Sequence, residues 1–143
     1  MATAFDNQCW NRVQAHLNAG PLNRVAGAPG RSIHGSVGNA VRVLGRRHVG
    51  HAHVHEYFFN LESRQINNLQ NAPAAYVALA CGAGANPDLL LVPLNLINPQ
   101  VALLSTTSRP GFVQHNLRIV EQGGVYHLAV PNGVRIALNQ YLI

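Results

Sequence analysis

Apolar and polar residues change period several times along the chain, and each change marks an element. Between Phe5 and Ala19, Trp10, Val13 and Leu17 recur at helical spacing, Asp6 or Asn7 can cap, and Gly20-Pro21 stops the run. A helix is predicted there, followed by a connector rich in Gly, Pro and Ala. Residues 33–37 and 40–44 read as strands around a Gly38-Asn39 turn. The segment from His48 to Glu62 alternates without a break and predicts one long central strand. One of its faces carries Val49, His51, His53, His55, Tyr57 and Phe59, and the other carries Ala52, Val54, Glu56 and Phe58.

A short helix from Ser63 to Pro73 is expected next. Two apolar strands follow, AAYVALAC and LLLVPLNLI, the second bending at Pro93 because a central strand rarely tolerates proline. NPQVALL is expected to turn helical, and residues 105–112 to form a polar loop. NLRIVEQ and VYHLAVP around Gly123-Gly124 predict a hairpin, and VRIALNQYLI a last strand. The order is mixed, without strand–helix–strand alternation. It predicts one α+β domain over residues 1–143: a curved, mainly antiparallel sheet or half-open barrel with two or three short helices.

Composition narrows the chemistry. Lys plus Arg total 10, every one of them arginine, against 5 acids and 8 histidines, for a net charge of +5. Without lysine there is no phosphate-binding G-x-x-x-x-G-K-[ST] loop, no Schiff base and no S-x-x-K nucleophile. Pro87-Asp88 is not followed by the acid-x-Lys of a nuclease site. With so few acids, a carboxylate pair or a hard-metal cage has little to draw on. At 48% hydrophobic and 10% charged the chain is too apolar for disorder. Cys9 and Cys81 show no metal-type spacing and are expected to be buried and reduced. No signal peptide and no long apolar run is evident, so a cytoplasmic protein with no membrane association is expected.

The positive charge is concentrated. Between Asp6 and Glu56 there is no acid, but there are six arginines and six histidines. Guanidinium suits bidentate contact with phosphate or a guanine edge, so this stretch points to a polyanionic partner. The expected nucleic-acid-binding residues are Arg31, His34, Arg42, Arg46, Arg47, His51, His53 and Tyr57. Arg109 joins them from the hydroxyl-rich run STTSRPG. His51, His53 and His55 along one straight strand would span about 13 Å and could not converge on one ion without outside ligands, which would have to be His34, His115 or His127, so no metal site is expected. No catalytic residue and no cofactor is expected either.

YFFNLESRQ, AAYVALACG, LLLVP, QHNLRIVEQGGVYHLAV and NQYLI follow one another in an order that resembles small α+β modules attached to prokaryotic restriction endonucleases. The likeness runs from Tyr57 onward and includes no diagnostic motif. It implies a reader of DNA, often modified DNA, rather than a cutter. The expected partner is therefore nucleic acid, DNA before RNA. Two alternatives stay open: a small histidine-dependent nuclease, and a non-catalytic protein-interaction subunit.

Overall fold

The computed structural model describes residues 4–17, 22–25, 33–36, 39–44, 47–51, 53–81 and 87–143. Helix α1 (Ala4–Leu17) is followed by strands β1 (Asn23–Arg24), β2 (Ile33–Ser36), β3 (Asn39–Leu44), β4 (Arg47–His51) and β5 (Val54–Glu62). Helix α2 (Ser63–Leu69) leads to β6 (Ala74–Cys81) and β7 (Asp88–Pro93), then helix α3 (Leu94–Ile97) and a 3-10 segment (Asn98–Leu103). Strands β8 (Thr106–Arg109), β9 (Phe112–Gln122), β10 (Val125–Ala129) and β11 (Arg135–Ala137) complete the chain with a closing 3-10 turn (Asn139–Tyr141). The fold is α+β and mainly antiparallel with short helices, as expected; its described strands form two sheets that do not close into a barrel. The first runs β1-β2-β3-β6-β7, and the second β11-β10-β9-β5-β4 with β8 also paired to β9. All pairs are antiparallel except β3 with β6.

The five-stranded sheet is covered on both faces, which explains its unbroken apolar strands. Val77, Leu79, Cys81, Leu90 and Val92 face the core shared by the two sheets. Ala78, Ala80, Leu89 and Leu91 face the other way, against Cys9, Trp10 and Val13 of α1. Ala78 and Ala80 are small and let the helix approach the sheet closely, and burying a side chain of Val or Leu size contributes about 1.5–3 kcal/mol. Cys9 and Cys81 are both buried and not disulfide-linked.

The six-stranded sheet contributes Tyr57, Phe59, Leu61, Leu117, Ile119, Tyr126 and Leu128 to the same core. Each is an alternate position, so residues between them point outward. Gly123 (φ 60°) and Gly124 (φ 82°) make the two-residue turn between β9 and β10, where a side chain would be strained. Glu121 Oε1 accepts the Gly124 N–H at 2.7 Å across this turn.

Four expectations change. The long strand from His48 to Glu62 is a hairpin: β4 and β5 are antiparallel, with His51 paired to Val54. Even positions of β5 therefore pair with odd positions of β4, and the one-sided row of histidines is lost. The supposed loop 105–112 contains β8, paired with β9 from Thr106↔His115 to Arg109↔Phe112. The second apolar strand ends at Pro93 instead of bending there, and Leu94 and Ile97 of α3 turn into the core. The last strand is only Arg135–Ala137. Among the described residues no helix is long and apolar enough to cross a membrane.

Candidate functional site

The outer face of the six-stranded sheet brings arginine, carboxamide and aromatic residues together. Its centre is fixed by strand register. Arg135 pairs with Ala129, Ala129 with Arg118, Arg118 with Phe58, and Phe58 with Arg47. One row thus crosses β11, β10, β9, β5 and β4, placing three arginine positions and one aromatic in line. Alternate strands stand about 10 Å apart, so the arginine positions are spaced by that interval.

A groove of about 450 Å³ opens on this row. It is bordered by Phe58, Asn116, Arg118 and Arg135, with Val130 and Val134 forming an apolar wall. Arg118 donates from Nε to Glu56 Oε1 at 2.7 Å and from a second guanidinium nitrogen to the same oxygen. That pair is partly exposed, and such pairs contribute about 0–1 kcal/mol, so Arg118 can exchange its partner at small cost. Asn116 Nδ2 donates to Ser105 Oγ at 3.3 Å, which orients the carboxamide at the groove edge.

A second arginine–aromatic set lies further along β9. Phe112, Gln114, Asn116 and Arg118 alternate onto one face. The Arg64 guanidinium carbon sits 4.0 Å from the Phe112 ring centroid, and Arg64 Nε donates to Glu62 Oε2 at 2.7 Å. Arg109 is exposed opposite Phe112 and donates from Nε to Gln114 Oε1 at 3.4 Å. Phe112 to Arg118 is six residues of strand, about 20 Å. The described face therefore offers Arg64, Arg109, Arg118 and Arg135 against Glu56 and Glu62, a positive balance along an extended track.

The residues singled out from the sequence are dispersed. Arg31 and Arg46 lie outside the described residues. Arg42 belongs to β3 of the five-stranded sheet, opposite Ile33 and Val77, whereas Arg47 begins β4 of the other sheet. The basic run is thus divided between the sheets where the chain crosses from one to the other. His51 closes β4, and His53 is exposed in the turn. His34 is half-buried beside α1, its ring 4.0 Å from that of Trp10 and tilted by 33°, in the five-stranded sheet. Tyr57 is corrected outright: it is 5% exposed within the core, because its parity in β5 is that of Phe59 and Leu61. Arg109 ends β8 and Arg47 begins β4, both strands of the six-stranded sheet.

Sequence reasoning missed Phe58, Arg118, Asn116 and Arg135. Arg118 between buried Leu117 and Ile119 is marked by alternation alone, and Phe58 sits opposite in parity to its two aromatic neighbours. Their convergence needs the strand order, which no local pattern contains.

Two other polar places are structural. The Tyr126 hydroxyl donates to Asp88 Oδ2 at 2.5 Å, joining the sheets, and burial together with Asp88 pushes the phenol far above its ordinary pKa. His115, paired with Leu61 and Thr106, has its pKa lowered by burial. Among the described residues no three His, Cys, Asp or Glu side chains come together as a metal site would require. No family model, curated protein or solved structure matches the chain.

Proposed function

We propose that this chain is a nucleic-acid-binding domain that reads DNA through the outer face of its six-stranded sheet, without cleaving it, in a prokaryotic restriction or defence setting in the cytoplasm. The observation that carries this reading is the row Arg135–Ala129–Arg118–Phe58–Arg47 beside an open groove. Arginine positions about 10 Å apart suit a phosphate backbone, and an aromatic position between them suits base stacking. The carboxamide of Asn116 adds a donor and an acceptor at the rim. Arginine as the only permanent side-chain cation favours the same partner class. The preference for DNA and the defence setting rest on the resemblance from Tyr57 onward to restriction-associated modules.

An electrophoretic shift panel tests it, using modified and unmodified DNA and RNA at two salt concentrations. Binding should fall steeply with salt, and Arg118→Ala with Arg135→Ala should reduce the salt slope by up to about two. Affinity that is absent for every nucleic acid, or insensitive to salt, would sink the proposal. Cleavage lost on substituting His51 or His53 would favour the nuclease reading instead.

A further inference from the structure

A second groove, of about 380 Å³, lies where the five-stranded sheet meets the C-terminal end of α2. It is lined by three carboxamides, Asn39, Asn68 and Asn71, with Val25 and Pro73 as apolar walls. Asn39 opens β3 and pairs with Ala74, which brings the start of that strand beside the residues leaving α2. Asn68 lies in the last turn of α2, and the Asn71 backbone N–H donates to the Asn68 backbone carbonyl at 3.2 Å, which holds the two residues close together. Gly35 lines the groove as well. A Cβ there would stand 2.8 Å from the Asn39 carbonyl and 3.2 Å from Val25 Cγ2, so this part of the lining holds no side chain.

Three properties of the lining select a ligand class. Among the described residues none of its lining is charged, so the described lining offers an isolated phosphate or carboxylate no counter-ion. The three carboxamides each supply an NH2 donor and a carbonyl acceptor. Among the described residues they are not engaged in hydrogen bonds to other side chains. The apolar walls accept the faces of a flat ring, and the volume falls in the range of small-molecule sites.

We infer that this groove binds a neutral planar heterocycle with adjacent donor and acceptor on one edge, a nucleobase of the adenine type. A carboxamide pairs bidentately with the amino group and ring nitrogen of adenine, and three of them around one groove offer that edge more than one partner. This site is separate from the arginine-bearing face and does not depend on it. The base can arrive as a free nucleoside or as an unpaired base of a strand.

The test is a titration of adenosine, guanosine, cytidine and uridine into the full chain, followed by the side-chain amide resonances of asparagine in nitrogen–proton spectra. Adenosine should bind saturably in the millimolar range and shift a small set of these resonances. Asn68→Ala with Asn71→Ala should weaken it by about tenfold, within the discrimination of a bidentate pair. The exposed single variant Asn71→Ala, with an unchanged backbone spectrum, serves if the double variant is unstable. Arg118→Ala should leave nucleoside binding untouched while weakening DNA binding, so the two sites fail or succeed separately. A single-stranded oligonucleotide containing adenine, compared with adenosine, distinguishes the two sources of the base. The inference is overturned by no saturable binding, by equal binding of all four nucleosides, or by binding that Arg118→Ala removes.

Discussion

The two sheets share one core but differ in what they do with their outer faces. The five-stranded sheet turns Ala78, Ala80, Leu89 and Leu91 toward α1, and its strands β6 and β7 are apolar on both sides. The six-stranded sheet turns Phe58, Asn116, Arg118 and Arg135 outward and leaves a groove beside them. Burial on both faces makes the first sheet the rigid element. The second, supported on one face only, can change its outward residues without unfolding, so a binding surface belongs there.

The comparison breaks most visibly at two neighbouring aromatics. Phe59→Ala should cost about 3–5 kcal/mol in urea unfolding, because its ring is 1% exposed in the shared core. Phe58→Ala should cost less than half as much and weaken nucleic-acid binding instead. Equal destabilisation by the two would refute the one-faced reading of β5. Ala80→Leu should come next, at about 1–3 kcal/mol, since it overfills the buried cluster between β6, β7 and α1. A thermal melt with tryptophan fluorescence would show α1 loosened from the sheet.

On the open sheet, Arg118→Ala with Arg135→Ala should lower DNA affinity by about tenfold in the shift assay while stability changes by less than about 1 kcal/mol. A loss of stability without loss of binding would make these residues structural. The smallest effect concerns pH. Burial lowers the His115 pKa from its ordinary 6.5, so the folded chain holds the ring neutral more readily than the unfolded chain does. This contribution is complete above 6.5 and is lost as the pH falls below that value toward the folded-state pKa. His115→Gln should flatten that part of the stability–pH curve, measured by denaturant unfolding at a series of pH values.

Much of the fold is legible along the chain. The unbroken apolar run AAYVALAC can be a strand only if both faces are covered, and β6 is covered on both. Gly123-Gly124 between two alternating segments forms the hairpin it announces. The reversal between His51 and Val54 is not legible, since alternation continues through it and the intervening sequence holds no Gly, Pro or Asn. That slip changes which residues share a face, so His51, His53 and His55 dissolve as a row. Tyr57 was misplaced on a surface for a related reason: an aromatic among histidines resembles a binding group until its parity with Phe59 and Leu61 is fixed.

By itself the sequence determined the chemistry available: guanidinium as the sole permanent side-chain cation, few acids, and strands whose alternation separates core from surface. Tertiary structure alone decided which of those groups stand together. Arg47, Phe58, Arg118 and Arg135 are far apart along the chain and come into one row through register across five strands. Register follows from burying one face of every strand simultaneously, a condition that no single segment can satisfy or reveal.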